Sequence, residues 1–302
     1  MTRKSSGCAA LYLLACSGLL AFSTSAFAAD MRLAPPPPSY IPQGGFFIGL
    51  GGSYNSVKFD QDIYALGISN VFNGAVLVAN GIAQGPGDPF HNIQSTFAPE
   101  VQAGYFRNFT GSSWLWGAKF KYKYLGTTAT QQGVIVGQTG SFTPAGGGAA
   151  TPLSGNVLMQ SMQTGIEHEL SALAFIGQSF TSGTVYVGAG PALLGTKSYI
   201  NRAVGFGDVN GLPTAITGAP VSFTSSTWMW GAAAQIGMTY TLAPTWFLDF
   251  NYTYTVTKKY DINYAAPFTS TSAGLTYVGT AYITTPQRVT TQAFAVSINK
   301  MF

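Results

Sequence analysis

The chain has 302 residues, of which 46% are hydrophobic, 14% aromatic and only 8% charged. Soluble domains carry about 25% charged residues, so the composition argues against a soluble domain and favours a membrane protein. The formal net charge of +4 arises from few charges of either sign, so it does not argue for a nucleic-acid partner.

The first 28 residues predict a cleaved signal peptide. Arg3 and Lys4 form a positive n-region, and residues 11–22 form an apolar stretch that is short for a permanent membrane span. An A-x-A motif follows it, and cleavage there would leave Ala29 or Asp30 at the mature N-terminus. The signal-cleavage residues are Ala26, Ala28 and Ala29.

Both cysteines of the chain, Cys8 and Cys16, lie in this signal segment. The mature chain is therefore expected to contain no disulfide, no thiolate metal site and no cysteine nucleophile. A lipoprotein signal with Cys16 at the end of a lipobox is the alternative. Leu14 fits that motif poorly, and apolar sequence continues beyond Cys16.

After residue 30 no run of about 18 apolar residues occurs, so the sequence predicts no transmembrane helix. In lipid, only helices and closed barrels satisfy every backbone polar group. The prediction is therefore an all-β, antiparallel, up-and-down transmembrane β-barrel over residues 46–302. Residues 29–45, which contain four consecutive prolines from Pro35 to Pro38, are expected to form a Pro-rich periplasmic tether.

Eight segments with period-2 alternation are predicted as barrel strands. Short turns and long connections alternate between them, which is typical of outer-membrane barrels with periplasmic turns and extracellular loops. The strands are expected at 46–58, 95–107, 113–125, 160–179, 184–197, 225–241, 246–259 and 287–302. Four long extracellular loops are expected at about 60–94, 127–158, 200–224 and 261–286.

The segment 246–258 shows the alternation most clearly. Its even positions, from Trp246 to Val256, are apolar or aromatic, and its odd positions, from Asp249 to Thr257, are mostly polar. In a membrane barrel the apolar face points to lipid, with aromatic residues at the two interfaces.

An Asn-Gly hairpin signal lies in the first long connection, at Asn73 and Gly74. A surface hairpin is the favoured interpretation. The alternative is an additional lipid-facing strand pair, which would give ten strands.

Charged residues on the inward faces of the predicted strands form a candidate lumen network. A turn near Thr110 and Gly111 would place Glu100 opposite Lys121. The network could fill a narrow barrel, or it could form a charged constriction that selects small ions. Its predicted members are Glu100, Lys119, Lys121, Lys123, Glu167, Glu169 and Asp249.

The sequence predicts no enzyme, no cofactor and no metal site. His168 lies between Glu167 and Glu169, but alternation places it on the outer face, away from Ser171, so no nucleophile and base converge. The other histidine, His91, lies in the first long connection, and these two histidines cannot build a metal cluster.

The C-terminal strand ends on an aromatic residue and resembles the signal that the barrel-assembly machinery recognises in bacterial outer-membrane proteins. Lys300 departs from the usual apolar or aromatic residue at its position, at little cost near an interface. The residues of this assembly signal are Phe294, Val296, Ile298 and Phe302.

Three short motifs together resemble the alphaproteobacterial outer-membrane surface antigens, a porin-like group allied with the opacity-protein and OmpA-like eight-stranded barrels. They are Ala28-Ala29-Asp30-Met31, the prolines 35–38 and Gly45-Phe46-Phe47-Ile48-Gly49. The family commonly enters its first strand with Trp-Thr-Gly-Phe-Tyr, where this chain has residues 43–47, Gln-Gly-Gly-Phe-Phe. The resemblance implies a surface-exposed envelope protein; some relatives are reported as adhesins or haem binders.

These features predict a Gram-negative outer-membrane protein that acts as an envelope structural or surface-interaction protein, of surface antigen or adhesin type. Its expected partners are outer-membrane lipid, the barrel-assembly machinery and an extracellular ligand of the loops. One alternative is a small porin-like channel, whose conductance Lys121→Ala would alter. The other is a haem-binding receptor, in which His91 would ligate the iron.

Overall fold

The computed structural model describes residues 43–209 and 212–302. The predicted signal-cleavage residues and the tether as far as residue 42 lie outside this part of the chain. No helix in the described residues is long and apolar enough to cross a membrane. Within the described residues there are twelve strands: β1 (Gly44–Gln61), β2 (Tyr64–Asn73), β3 (Val76–Pro86), β4 (Phe90–Asn108), β5 (Trp114–Pro144), β6 (Thr151–Phe180), β7 (Gly183–Val209), β8 (Leu212–Ala215), β9 (Val221–Ala243), β10 (Trp246–Thr257), β11 (Tyr260–Ser272) and β12 (Leu275–Met301).

Eight of these strands pair in a ring, and every pairing is antiparallel. The order is β1, β4, β5, β6, β7, β9, β10 and β12, and β12 pairs again with β1 from Phe47↔Met301 to Gln61↔Gln287. Each of the eight predicted strand segments corresponds to one strand of this ring. The predicted antiparallel, all-β fold is confirmed.

One end of the ring, called here the turn end, carries the short connections. The chain turns there between Asn108 and Trp114, between Phe180 and Gly183, and between Ala243 and Trp246. Strand β1 starts at this end and β12 finishes at it, where the Phe302 amide donates to the carbonyl of Phe46 over 2.8 Å.

At the opposite end, where four long loops were predicted, the connections are largely β-structure. β2 and β3 lie in the first, β5 and β6 continue through the second, β7 and β8 occupy much of the third, and β11 with the start of β12 occupies the fourth. Alternation of buried and exposed residues continues through β5 beyond residue 126. Within β5, Gly126 and Gly133 adopt positive φ values, yet the strand continues through both. This part of the sheet is called the extension.

The Asn-Gly signal does form a hairpin. Asn73 pairs with Val76, and Gly74 adopts a φ of +61° in the turn, a conformation that favours glycine. β2 pairs with β12, and β3 pairs with β5. The hairpin is thus inserted into the extension between two strands of the ring, and it adds no strand to the ring itself.

The interior changes character along the barrel. Between the turn end and the extension the inward side chains are mainly polar, whereas the extension encloses an apolar core. Members of this core that are at most 2% exposed include Phe59, Ile63, Leu125, Met159, Met162, Ile166, Leu194, Ile200 and Met229.

Candidate functional site

The outer wall of the ring is apolar and exposed. On β1, Phe46, Ile48 and Leu50 are 67%, 58% and 63% exposed, and neighbouring strands show the same pattern. Soluble proteins rarely present an apolar patch of this extent to water. A wall with apolar side chains outside and polar side chains inside is the arrangement of a transmembrane barrel.

Aromatic residues border this apolar wall at two levels. Near the turn end, the rings of Phe46 and Tyr105 lie 4.9 Å apart. The second level includes Tyr54, 5.0 Å from Phe97. Eight residues of β1 separate Phe46 from Tyr54, which is about 26 Å along the strand. At a strand tilt of about 40° this is about 20 Å along the barrel axis, so the two levels bound an apolar band like that between the aromatic girdles of outer-membrane barrels.

The four residues of the predicted assembly signal lie on this outer wall. Phe294, Val296, Ile298 and Phe302 are 67%, 48%, 46% and 70% exposed. Lys300 shares their face, and its Nζ lies 5.7 Å from the ring centroid of Trp246 and 5.5 Å from that of Phe302. These cation–π contacts explain how a lysine is accommodated in an aromatic girdle.

Inside the ring, the layer nearest the turn end is centred on Asp249. Its carboxylate pairs with Lys119 Nζ at 3.1 Å and accepts hydrogen bonds from Tyr186 Oη at 2.6 Å and Gln102 Nε2 at 3.0 Å. Lys119 Nζ also donates to Tyr186 Oη over 2.7 Å. The buried charges are thus paired and hydrogen-bonded, as a low-dielectric interior requires.

The middle layer contains the ion pair of Lys121 Nζ and Glu100 Oε1, 2.9 Å apart. Glu100 was predicted to lie directly opposite Lys121, but Glu100 faces Lys123 and Gln102 faces Lys121. The predicted register was wrong because the centre of the turn lies closer to Trp114 than expected. Lys121 reaches Glu100 diagonally, two residues away, and also donates to Asn251 Oδ1 over 2.9 Å.

The third layer is built around Glu169. One carboxylate oxygen lies 3.1 Å from Lys123 Nζ and accepts a 3.0 Å hydrogen bond from Thr255, while the other accepts one of 3.1 Å from Thr291. The charged side chains of all three layers are at most 3% exposed. Three lysines and three carboxylates neutralise each other across the lumen.

Glu167 is a correction to the predicted network, because it lies on the outside of the barrel. A β-bulge between Ile166 and His168 shifts the register of β6. Ile166 and Glu169 both point inward, with two residues between them instead of one. Glu167 is 47% exposed and lies 3.8 Å from Lys197 Nζ.

His168 lies on the outer wall, as alternation predicted, in a cluster of aromatic rings. Its Nδ1 is 2.9 Å from the hydroxyl of Tyr122, and its ring stacks at 6.0 Å on Trp228. Ser171, by contrast, points into the lumen and is 3% exposed. The barrel wall therefore separates this histidine from that serine. Among residues 43–209 and 212–302 no group of three histidine, cysteine, aspartate or glutamate residues could hold a metal ion.

Asp60 forms a second charged cluster, on the outer face beyond the Tyr54 girdle. Its carboxylate lies 3.0 Å from Lys58 Nζ and 2.8 Å from His91 Nδ1. Partial burial raises the pKa of Asp60. Lys58 and His91 lower it through their hydrogen bonds and charges, and this effect is larger, so the pKa lies below the ordinary value of 3.8. His91, a candidate haem ligand in the sequence analysis, is engaged here with a carboxylate.

Tyr186 and Gln235 belong to the lumen network but were not predicted from the sequence. Tyr186 lies between Val185 and Val187 on β7, so no contrast of polarity marked it as inward. Gln235 donates to Asn251 Oδ1 over 2.7 Å and lies in a run of small residues on β9. Trp228 and Trp230 point outward, so strict alternation along β9 turns the odd-numbered positions inward and would have placed Gln235 in the lumen.

The ring, its apolar wall and its paired lumen define a transmembrane antiparallel β-barrel. No known family model matches the chain, and no curated protein matches it. Solved structures similar to it include Ail, the attachment invasion locus protein of Yersinia pestis, at 13% identity over 79% of this chain and 98% of Ail, with a TM-score of 0.24. Neisserial surface protein A is also similar, at 12% identity over 81% of this chain and 97% of that protein, with a TM-score of 0.29. The outer membrane protein OprG from Pseudomonas aeruginosa is similar at 14% identity over 85% of this chain and 96% of OprG, with a TM-score of 0.34. At these identities and TM-scores no residue role is transferred to this chain.

Proposed function

We propose that the chain is an integral outer-membrane protein whose ring anchors the extension at the cell surface as an interaction surface, of surface antigen or adhesin type. The turn end faces the periplasm in this proposal, and the extension faces outward. The short turns at one end and the long, ordered segments at the other support this orientation. The outward C-terminal residues support recognition by the barrel-assembly machinery.

The observation that carries the proposal is the set of ion pairs across the lumen. Lys119–Asp249, Lys121–Glu100 and Lys123–Glu169 occupy successive layers, and all six side chains are nearly inaccessible to water. Eight-stranded barrels are just wide enough for side chains to fill. A filled interior leaves the outer surface of the extension as the part that can contact other molecules.

Single-channel recording tests this proposal against the alternative of a small porin-like channel. The refolded mature protein in a planar lipid bilayer is expected to give no discrete conductance steps. Lys121→Ala, which truncates the middle layer, is the matched variant, and Lys259→Ala on the outer face is its control. Conductance steps in the wild type that Lys121→Ala alters and Lys259→Ala does not would contradict a closed lumen and favour the channel.

A further inference from the structure

A polar recess opens on the outer face of the barrel where the ring meets the extension. It has room for about 330 Å³, within the range of about 300–1,000 Å³ that small-molecule sites occupy. Four neighbouring strands, β5, β6, β7 and β9, contribute to it. Its polar lining consists of Thr128, Gln163, Glu167, Lys197, Tyr199 and Thr224. This space is called here the recess.

Gly165 forms the floor of the recess because it has no side chain. It pairs with Thr128 on β5 and with Lys197 on β7, so it lies between these two outward side chains. A Cβ at this position would lie 2.8 Å from Thr128 Oγ1, which is closer than van der Waals contact. In the next row, Gln163 pairs with Tyr199. Polar side chains therefore surround a position that the glycine leaves open.

The β-bulge in β6 brings two opposite charges to the recess. Glu167 is the additional residue of this bulge, between Ile166 and His168, and bulges often redirect a side chain next to a functional site. The Glu167 carboxylate lies 3.8 Å from Lys197 Nζ, whereas a charge-assisted hydrogen bond measures about 2.7–2.9 Å. The two side chains are 47% and 57% exposed. Each charge is therefore open to a ligand.

An aromatic row borders the recess on its membrane side. Tyr124 pairs with His168, and Gly195 separates His168 from Trp228 in the same row. The rings of His168 and Trp228 stack across this glycine at 6.0 Å, where a Cβ would meet the Trp228 ring at 3.2 Å. Beyond the row, Phe120 on the apolar wall is 70% exposed. Aromatic residues concentrate at the headgroup level of a bilayer, so the recess lies beside lipid headgroups.

We propose that the recess binds the zwitterionic headgroup of a membrane lipid, one that carries both a phosphate and a primary ammonium. Lys197 donates to the phosphate, and Glu167 accepts from the ammonium. The hydrocarbon chains lie along the apolar wall on the membrane side of the aromatic row. Glu167 would repel a headgroup that carries only a phosphate, and Lys197 would repel one that carries only an ammonium. A headgroup with charges of both signs complements both residues.

The proposal goes beyond the proposed function and does not depend on it. It requires the ring to lie in a membrane, because the lipid supplies the ligand. It holds for a closed or a conducting lumen, and it holds whichever end of the barrel faces outward. A failure of lipid binding would therefore leave the single-channel result unchanged, and conductance steps would leave the lipid site unchanged.

Native mass spectrometry of the refolded mature chain in detergent micelles tests the proposal. The chain is mixed with equal amounts of phosphatidylethanolamine, phosphatidylcholine and phosphatidylglycerol that carry the same acyl chains. We expect one bound phosphatidylethanolamine, held about tenfold more tightly than either other lipid, since hydrogen bonds to charged groups contribute enough for such a factor. The choline cation has no N–H to donate to Glu167, and the glycerol headgroup has no cation.

Substitutions at the two charges separate their contributions. Glu167→Gln should remove the preference for phosphatidylethanolamine over phosphatidylglycerol, because the ammonium loses its carboxylate partner. Lys197→Gln should weaken the binding of phosphatidylethanolamine by about tenfold, because the phosphate loses its cation. Lys259→Gln is the matched control: it breaks an exposed outer-face pair with Asp62, 2.6 Å long and outside the recess. This control should keep the wild-type preference.

A second pair of variants tests the space instead of the charges. Thr128→Trp fills the recess from an exposed position on β5, and it should weaken the binding of phosphatidylethanolamine by about tenfold or more. Thr290→Trp makes the same change on the outer face of β12, away from the recess, and should bind as the wild type does. Heat-dependent mobility in gel electrophoresis checks that each variant is folded.

Equal retention of the three lipids by the wild type would overturn the proposal. Stronger retention of phosphatidylglycerol would also contradict it, because the site would then take a simple anion. A preference that survives Glu167→Gln, Lys197→Gln and Thr128→Trp would show that the lipid binds elsewhere. Soluble glycerophosphoethanolamine at the same concentration is expected not to displace the lipid. Displacement by it would rule out a membrane lipid as the ligand.

Discussion

At the scale of single residues, the lumen holds each charged side chain against a partner of opposite sign. Replacing a buried ion pair with apolar groups is often close to neutral, but removing one partner leaves an uncompensated charge in a low dielectric. The two kinds of substitution should therefore have different effects on the free energy of unfolding. The Lys121–Glu100 pair suits this comparison because its side chains are at most 1% exposed.

We predict that Lys121→Met lowers the free energy of unfolding by about 3–5 kcal/mol. Combining it with Glu100→Gln should recover most of the loss, because the glutamine carries no charge. The measurement is urea unfolding of the protein in lipid vesicles, followed by tryptophan fluorescence. Lys259, whose side chain is 54% exposed and pairs with Asp62 at 2.6 Å, provides the control, and Lys259→Met should cost less than about 1 kcal/mol. Equal effects of the two lysine substitutions would mean that water reaches the lumen pairs.

The Asp60 cluster predicts a pH effect at acid pH. The pKa of Asp60 is held below 3.8 by Lys58 and His91, so its folded-state pKa is lower than its unfolded-state pKa. The cluster's stabilising contribution is therefore present above about pH 4 and is lost as the pH falls through the folded-state pKa. Lys58→Met should raise the pKa of Asp60, which a carbon-13 NMR titration of its carboxyl group would detect. A pKa that Lys58→Met leaves unchanged would contradict this assignment.

At the scale of elements, period-2 alternation predicts a strand well where its two faces differ in polarity and its register is unbroken. From Phe247 onward β10 satisfies both conditions, and Asp249 is inside as alternation requires. β6 fails the second condition: its bulge at Ile166 and His168 shifts the facing pattern, so Glu167 was placed on the wrong side. A single sequence gives no sign of such a bulge, because the extra residue is an ordinary polar one.

The extension exposes another limit of sequence reasoning. Its segments are rich in Gly, Ser and Thr, which resemble loop composition, yet they form strands because neighbouring segments supply ladder partners and a shared apolar core. Such long-range pairing cannot be deduced from local composition. The Asn73-Gly74 turn was predictable because its geometry is determined by adjacent residues.

We predict that the β2–β3 hairpin stabilises the extension but not the ring. Replacing residues 65–85 with a short Gly-Ser linker should leave a folded, membrane-inserted barrel, since the hairpin pairs with β12 and β5 outside the ring contacts. It should also expose Phe142 and Tyr277, whose ring centroids lie 6.0 Å apart, because both would lose the hairpin that covers them. Limited proteolysis should then cut the extension and spare the ring. Loss of the ring's heat-dependent gel mobility would show instead that the hairpin is needed for barrel folding.

At the scale of the whole molecule, the barrel is two stacked structures with opposite polarity. The ring is apolar outside and polar within, as expected in lipid, and the extension encloses the apolar core that a water-surrounded sheet requires. This reversal places the boundary between lipid and water near the Tyr54 girdle. It also implies that the two ends of the molecule lie on opposite sides of the membrane.

That orientation can be tested with single cysteines, because Cys8 and Cys16 both precede the predicted cleavage site. Gly146 lies between β5 and β6, where an added Cβ meets no heavy atom within 4 Å, and Ser182 is exposed in a turn at the opposite end. On intact cells, a membrane-impermeant maleimide should label the Gly146→Cys variant and not the Ser182→Cys variant, since only the extension is proposed to face outward. After lysis both variants should react, which controls for accessibility of the thiols. Labelling of Ser182→Cys alone on intact cells would reverse the orientation and remove the extension from the cell surface.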